Sequence, residues 1–327
     1  MEKLDVKDGK ILYQLELDAR QSYSNIAKKV RLSREVVNYR IKRLENIGVI
    51  EKYILILNLK KIDYESFKWY IQLENVDNEK FMEIINDFKK HQNTGWVTSC
   101  TGRWDLIVDF VVNSALSFNE ITQNFLMRYS KYIRETRFTI ELDIFHFKKK
   151  YLGSGEEQLK TPHLGGEPEK IELGKEDVKI ITYLCENPRY SLVELAQKTK
   201  LSVDVVKNRV KKMKKNEFIQ GARAQINNSK LGYSTFKILL NTKKISKEKQ
   251  NQFIGYLSQN KNVWDVINCL GSWDMEVNVD VKNNVEFHNF VMDIKNKFPD
   301  IIKSYDTVEI FDNYKYNFFP MGKKILR

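Results

Sequence analysis

Residues 22–50 read SYSNIAKKVRLSREVVNYRIKRLENIGVI, and residues 191–219 read SLVELAQKTKLSVDVVKNRVKKMKKNEFI. Each stretch begins with a serine that can cap a short helix. Each also holds a second serine, Ser33 or Ser202, that can cap a longer helix. Apolar residues recur at helical spacing after each of these serines. Together with Ile11, Leu12 and Leu15 at helical spacing upstream, the pattern predicts three short helices that are written twice in the chain.

The two stretches belong to a longer repeat with a constant offset of 169 positions. This offset relates Asp8 to Asp177 near the start of each copy. Far downstream it still relates Gly102-Arg103-Trp104-Asp105 to Gly271-Ser272-Trp273-Asp274. A constant offset over so long a span predicts two copies of a whole two-part unit. Internal pseudo-twofold symmetry follows, and such symmetry is informative for a protein that reads duplex DNA.

Composition limits the class of protein. The chain has 327 residues, of which 42% are hydrophobic and 30% charged, which is typical of globular domains. No apolar run reaches the roughly 20 residues of a membrane span, and the start of the chain lacks an apolar signal core. We therefore expect a cytoplasmic protein without a membrane partner. The net charge of +12 fits an anionic partner such as nucleic acid.

The pattern of hydrophobic residues changes along each copy. Helical spacing holds to about residue 50, and a strand is expected over Ile50–Leu57. Residues 64–147 then follow the order strand, helix, strand, strand, helix, strand, which predicts an antiparallel sheet with helices on one face. The expected domains are 1–60, 64–148, 173–229 and 233–320. A linker over 149–172, rich in glycine and proline, is expected not to pack.

The helix that begins at Ser33 has the residues of a DNA-reading helix. Such a helix lies in the major groove, where arginine recognises guanine and asparagine recognises adenine. We expect Val36, Val37, Ile41 and Leu44 to pack inward. The predicted DNA contacts of the first copy are Ser33, Arg34, Asn38, Tyr39, Arg40, Lys42 and Arg43, with Arg40 either on a phosphate or anchoring the helix. The alternative interpretation is an ordinary solvated helix face.

The corresponding helix of the second copy differs on its outer face. Val203, Lys207 and Asn208 stand where the first copy has Arg34, Asn38 and Tyr39. The predicted DNA contacts there are Lys207, Asn208, Arg209, Lys211 and Lys212. Because lysine neutralises phosphates without reading sequence, this helix is expected to hold the backbone rather than the bases.

Both copies resemble the leucine-responsive regulator/AsnC (Lrp/AsnC) family of prokaryotic transcription factors. The motifs are Asp18-Ala19-Arg20, Ile26-Ala27, Leu32-Ser33 and Gly48-Val49-Ile50, together with the two G-x-x-D hairpins at Gly102 and Gly271. The second copy departs from the family pattern at Glu217, at Val203 and at Asn187-Pro188-Arg189. The resemblance implies an α+β fold, in which a winged helix-turn-helix and a ferredoxin-like βαββαβ regulatory domain occur in tandem. It also implies paired regulatory sheets, two DNA-reading modules and self-association.

The resemblance further implies an amino-acid or related metabolite as effector, bound near the hairpins. The expected residues are Thr98, Gly102, Asp105, Asn268, Gly271 and Asp274. Backbone N–H groups there can hold a carboxylate, and an aspartate can hold an ammonium group. The alternative is structural, because glycine and aspartate are ordinary residues of tight turns.

Two other classes of function stay open at this point. Some relatives of this fold are haem-biosynthesis decarboxylases, which need clustered histidine or arginine. The four histidines here have no metal-ligand spacing, and neither a cofactor nor a metal is expected. A metabolite-binding or scaffolding protein with reduced DNA binding is the other alternative. The sequence predicts a non-enzymatic, sequence-specific regulator that binds double-stranded DNA, with one chain acting as a pseudo-dimer on an asymmetric site.

Overall fold

A computed structural model describes residues 4–153 and 162–322. The helices are α1 (Val6–Leu17), α2 (Tyr23–Val30), α3 (Arg34–Asn46), α4 (Asn78–Lys90), α5 (Ala115–Tyr129), α6 (Lys175–Glu186), α7 (Leu192–Thr199), α8 (Val203–Lys215), α9 (Lys247–Gln259) and α10 (Asn284–Lys297). The strands are β1 (Ile50–Leu57), β2 (Glu65–Leu73), β3 (Thr94–Gly102), β4 (Leu106–Val112), β5 (Ile133–His146), β6 (His163–Gly165), β7 (Ile219–Ile226), β8 (Ser234–Thr242), β9 (Val263–Gly271), β10 (Met275–Val281) and β11 (Ile302–Tyr316). Every element from α1 to β5 has a counterpart that begins 169 positions later.

The helix caps form as the sequence predicts. The hydroxyls of Ser33 and Ser202 accept the backbone N–H three residues on, at 3.2 and 3.3 Å. Gly48 follows α3 with φ of 69°, in the left-handed region that favours glycine. Glu217 holds the same conformation after α8, with φ of 56°. The chain bends alike in both copies although only one copy has glycine there.

Strands β1 and β7 form a two-stranded antiparallel ribbon that joins the copies. Ile54 lies opposite Arg223, which is its own counterpart in the repeat. A pseudo-twofold axis therefore passes between these two residues. Helices α1–α3 form the first three-helix unit, and α6–α8 form the second. The core of the first unit includes Ala224 of the second copy, and the core of the second unit includes Leu55 of the first copy. Each unit is thus completed by the other copy.

The two regulatory sheets close into one barrel. Within each copy the strands follow the order expected of a βαββαβ domain, β5-β2-β4-β3 and β11-β8-β10-β9. Strand β3 then pairs with β11, and β5 pairs with β9. Neither sheet keeps these edges open, so the described strands form a ring with short β6 added to β5.

Side chains alternate between the two faces of the barrel wall. In β2, Phe67 and Trp69 pack outward beneath α4 and α5. Tyr70 lies in the separate inner cluster with Trp104 and Trp273. This alternation follows from the period of two residues in a strand. The helices therefore cover the outside, and the inside holds charged groups and a mixed aromatic and aliphatic cluster that includes Ile107, Leu239 and Val308.

The described part of the linker is packed, which contradicts the expectation from its composition. Leu152 is buried in the core of the first three-helix unit. The backbone N–H of Ile171 donates to the carbonyl of Lys61 at 2.8 Å, and β6 pairs with β5. Backbone pairing and packed apolar side chains, among them Leu152, Leu164 and Ile171, hold these residues in place, so glycine and proline content alone is a poor guide here. Residues 154–161 lie outside the described part.

Candidate DNA-binding surface and internal cavity

The outer face of α3 presents most of the residues predicted to contact DNA. Ser33, Arg34 and Lys42 are exposed, Tyr39 is 68% exposed, and Asn38 is half-buried. Val36 was expected to pack inward and instead is 39% exposed. Because Val36 lies in the first turn, it projects beyond the contact with the neighbouring helices, whereas Val37, Ile41 and Leu44 are buried.

Two arginines of α3 are held by carboxylates of the first helix. The guanidinium of Arg40 donates to Asp5 at 2.8 Å and to Asp8 at 2.9 Å, and Arg43 donates to Asp8 at 2.6 Å. The hydrogen bond to Asp5 raises the pKa of Arg40 above its usual value. Arg40 therefore anchors α3 to α1, one of the two roles predicted for it. Arg43, predicted to reach the groove, is engaged in the same cluster.

Helix α8 has the same anchor and a different outer face. Arg209 donates to Asp177 at 3.1 Å and also pairs with Glu176. The remaining predicted contacts, Lys207, Asn208, Lys211 and Lys212, are all exposed. None of these three lysines forms an ion pair within the described residues. Their charges are free to neutralise phosphates.

A reciprocal pair of arginines, which the sequence reasoning did not single out as functional, clamps the two units together. Arg20 donates to the carbonyl of Pro188, and Arg189 donates to the carbonyl of Ala19. Donors and acceptors alike are counterparts in the repeat. Burial lowers the pKa of Arg20. The sequence does carry a signal for this clamp: both copies have an arginine at this position, although the residues before it differ.

The two G-x-x-D hairpins are closely packed against neighbouring strands. A Cβ at Gly102 would lie 2.7 Å from the Thr307 carbonyl, so only glycine fits at its φ of 118°. Asp105 accepts the backbone N–H of Leu73 at 2.7 Å, and Asp274 accepts that of Thr242 at 2.6 Å. These bonds join each hairpin to the end of a neighbouring strand, β2 or β8, which gives both aspartates a structural role.

The other residues predicted to bind an effector are also engaged. Thr98 is fully buried and donates to the carbonyl of Asp312 at 2.9 Å. The side-chain oxygen of Asn268 accepts from Gln250 at 3.1 Å. Gly271 has a φ of 138°, and its Cα lies close to the backbone of Phe138, as that of Gly102 lies close to the backbone of Thr307. The effector role of the hairpins stays a prediction.

A cavity of about 560 Å³ lies between the ribbon and the barrel. Its deep carboxyl groups are Glu16, Asp109, Glu141 and Asp265, and those nearer its rim are Glu51, Glu309 and Asp312. Its basic side chains are Lys68, His146, Lys149, Arg223 and Lys237. Trp96, Trp264, Tyr233 and Tyr316 supply aromatic walls. None of the hairpin residues predicted to bind an effector lines it.

Glu276 neutralises the two lysines at the base of this cavity. Its carboxylate accepts from Lys68 at 2.6 Å and from Lys237 at 2.7 Å, and the hydroxyl of Tyr70 also donates to it. Burial alone would raise the pKa of Glu276, but the two ammonium groups outweigh it and hold the pKa well below the usual range. Lys68 and Lys237 are counterparts in the repeat, yet they share a glutamate that only the second copy supplies.

Asp109 has a very different environment. It is 4% exposed, and the hydroxyl of Ser66 donates to its Oδ2 at 3.1 Å. Its Oδ1 has no hydrogen-bond partner among the described residues. Burial, and then the neighbouring charge of Glu141, raises the pKa of Asp109 well above its usual value. The sequence signal for Asp109 was a charged residue inside an otherwise apolar strand, whereas Glu276 lies in a strand in which apolar and polar residues alternate.

A winged helix-turn-helix DNA-binding model matches residues 4–51 and 177–220. An HTH-type transcriptional regulator of Pyrococcus furiosus, PF1734, is 32% identical over 124 residues, which are 38% of this chain and 82% of that protein. LrpA of Pyrococcus horikoshii is 35% identical over 91 residues, which are 27% of this chain and 62% of LrpA. The chain belongs to the Lrp/AsnC family of transcriptional regulators.

This Lrp/AsnC chain is similar over its whole length to a solved structure, the siroheme decarboxylase NirDL. The TM-score is 0.61 at 14% identity, with 98% of each chain covered. The likeness concerns the fold. Among the residues that the structure describes, no helix is long and apolar enough to cross a membrane, and no group of three or more metal-ligating side chains comes together.

Proposed function

We propose that one chain acts as a built-in dimer that binds duplex DNA through both helix-turn-helix units and regulates transcription without a catalytic step. The β1–β7 ribbon carries this proposal, because Ile54 opposite Arg223 relates the two units by a twofold axis. The clamp of Arg20 and Arg189 supports a fixed spacing between them. We expect the reading helices to lie about one helical turn of DNA apart, roughly 34–36 Å, or a multiple.

We further propose that the two half-sites are read differently. The first unit has Arg34, Asn38 and Tyr39 on its outer face, so it has the donors and acceptors that distinguish bases. The second unit has Lys207, Lys211 and Lys212 there, which suit phosphates. A fused chain permits this asymmetry, whereas a homodimer must present the same face twice.

The test is to select bound genomic fragments and measure the affinity of the full chain for the selected fragment and for a random duplex. Arg34→Ala with Asn38→Ala should weaken binding to the selected fragment by about 1–3 kcal/mol per lost base contact and leave random duplex little changed. Lys211→Ala with Lys212→Ala should weaken both duplexes about equally. The salt slope should fall by about 1 for each lysine removed.

A matched control removes the same charge elsewhere. Lys244→Ala with Lys247→Ala alters exposed lysines at the start of α9 and should change neither duplex affinity nor the salt slope by a comparable amount. A footprint with equal base contacts in both halves would contradict the asymmetric site. If the chain showed no salt-dependent binding to any duplex, that result would contradict the whole proposal.

Self-association is a second part of this proposal. Leu116 on α5 and its counterpart Val285 on α10 are 66% and 69% exposed, on the outside of the barrel. Apolar side chains at matching places on both copies suit a contact with another copy of the chain. Leu116→Glu with Val285→Glu should reduce the molar mass measured by light scattering. An unchanged mass would contradict this contact.

A tetrapyrrole decarboxylase is a second candidate function, favoured by the chain-long similarity in fold to NirDL. His146 lines the cavity, and its ring nitrogen lies 2.6 Å from a carboxylate oxygen of Asp265. The seven carboxyl groups of the cavity weigh against this candidate, because a uroporphyrin-type substrate carries many carboxylates of its own. Mixing the chain with siroheme and recording the visible spectrum separates the two candidates. A stable shifted band with loss of carbon dioxide would favour the enzyme.

A further inference from the structure

We propose that the cavity between ribbon and barrel binds a small organic cation, an amine or guanidine with an apolar or aromatic body. The site differs from the hairpins in place and in chemistry. Its features are paired basic groups, one unsatisfied carboxyl oxygen and aromatic walls.

The basic side chains of the cavity already have acidic partners. Lys68 and Lys237 bind Glu276, and Lys68 also lies 2.5 Å from Glu141. The other three basic groups pair in the same way, Lys149 with Asp280 at 2.8 Å, His146 with Asp265 at 2.6 Å and Arg223 with Glu16 at 3.3 Å. An anionic ligand would have to compete with these buried carboxylates for each of the basic groups.

Four carboxyl groups of the cavity have no basic side chain of the described part of the chain as an ion-pair partner. Asp109 lies deep in the cavity, and Glu51, Glu309 and Asp312 lie nearer the rim. None of these four forms an ion pair within the described residues, although Glu51 accepts hydrogen bonds from the amides of Gln225 and Asn227 at 2.7 and 2.9 Å. The excess of acid occurs in a chain whose net charge is +12, so it does not reflect the composition of the whole protein. A cation entering here would meet carboxylates near the rim before it reaches Asp109, the carboxyl group that its binding would ionise.

Hydrogen bonding favours the same class of ligand. Oδ1 of Asp109 and Oε1 of Gln225 are acceptors without donors among the described residues. A buried acceptor without a partner is costly, and an ammonium or guanidinium group supplies the missing N–H. Trp96 and Tyr316 also line the cavity, and their ring centroids lie 6.3 Å apart. The ammonium groups of Lys237 and Lys52 lie 5.8 and 5.9 Å from these rings, so the aromatic wall attracts cations of the chain itself.

The cavity also touches both the ribbon and the barrel. Its ribbon side holds Glu51 and Arg223, and its barrel side holds Lys68 and Asp109. A ligand bound across this junction contacts the element that carries the DNA-binding units. This consequence rests on the proposed function, whereas binding of the cation does not.

The experiment is calorimetric titration of the full chain, without DNA, with phenethylamine, agmatine and spermidine. Phenethyl alcohol and phenylacetate are the neutral and anionic counterparts of the first amine. We expect at least one amine to bind with a stoichiometry of one and the two counterparts not to bind. Failure of all three amines at millimolar concentration, or equal binding of phenylacetate, would overturn the proposal. DNA is absent, so this result is independent of the regulatory function.

Two further measurements locate the site. Asp109→Asn should weaken amine binding by about tenfold or more, and Asp63→Asn, at a 73% exposed carboxylate outside the cavity, should not. Asparagine already stands at the counterpart of Asp109, as Asn278, so the strand accommodates it. Equal affinities of the two variants would contradict the site.

The wild-type chain provides an independent check that needs no variant. The charged groups around Asp109 are Lys68 of β2, Glu141 of β5 and Glu276 of β10. The raised pKa of Asp109 means that amine binding should expel a proton and strengthen as pH rises. Titrations in buffers of different ionisation enthalpy measure that proton, and its absence would place the cation elsewhere.

Discussion

At the scale of single residues, neighbouring charges decide how a buried carboxyl group behaves. Glu276 and Asp109 lie inside the same barrel and are equally hidden from solvent. Two ammonium groups hold the pKa of Glu276 down, whereas Asp109 lies beside Glu141 and its pKa rises. The same burial therefore yields an anion at one position and favours a neutral acid at the other.

Asp109→Asn should make the fold more stable at neutral pH. A carboxyl whose pKa is raised by folding costs stability above its unfolded pKa of about 3.9, and the cost disappears as pH falls below that value. We expect a gain of about 1–2 kcal/mol in the free energy of unfolding at pH 7. Urea unfolding at neutral and acidic pH measures it. A gain that persists unchanged in acid would contradict the protonation argument.

Glu276→Gln should have the opposite effect. It leaves Lys68 and Lys237 without their shared anion inside the barrel, and breaking a buried pair costs about 3–5 kcal/mol. Because folding lowers the pKa of Glu276, its stabilisation is present above the unfolded pKa of about 4.3 and is lost as pH falls. The variant should therefore differ most from the parent at neutral pH in urea unfolding. A neutral effect would show that the lysines find other partners.

At the scale of elements, the two copies differ at the end of the reading helix, where only the second copy places a side chain on a left-handed backbone. Gly48 and Glu217 share a left-handed backbone, which L side chains adopt at a cost. The sequence identified the substitution, and the structure shows that the backbone did not change with it. The second unit thus retains the geometry of the first.

Glu217→Gly should stabilise the second unit by about 0.5–1 kcal/mol, because glycine adopts this φ without strain. Glu217→Ala removes the same side chain and keeps the strain, so it isolates the backbone effect from lost side-chain contacts. We expect the glycine variant to exceed the alanine variant in thermal unfolding. Equal midpoints would contradict the strain argument.

At the scale of the whole molecule, the copies cannot be separated without breaking sheets. The ribbon pairs β1 with β7, and the barrel pairs β3 with β11 and β5 with β9. Each of these pairs takes one strand from each copy. The described residues thus form a single set of shared sheets although the sequence contains two repeats.

The chain should therefore unfold in one cooperative transition. Tryptophan fluorescence reports on the barrel, through Trp104 and Trp273, and far-ultraviolet circular dichroism reports chiefly on the helices. The two signals should coincide across a urea titration, as expected of a two-state system. Two separated transitions would show that the DNA-binding units fold independently of the barrel.

The sequence by itself determined the elements and their repetition. Capping serines, helical spacing and a constant offset depend on residues close together in the chain, so α3, α8 and the order of strands were predictable. The outer faces of the reading helices were predictable for the same reason, apart from Val36 at the edge of the first turn and Arg43, which is half-buried against Asp8.

Only the tertiary structure decided how the two copies close on each other. The barrel brings Glu276 of one copy between Lys68 and Lys237, residues that are far apart in the sequence. It also forms the cavity and leaves Asp109 without a full set of partners. Pairing between strand edges depends on hydrogen bonds that every backbone can make, so the residue pattern does not specify the partner.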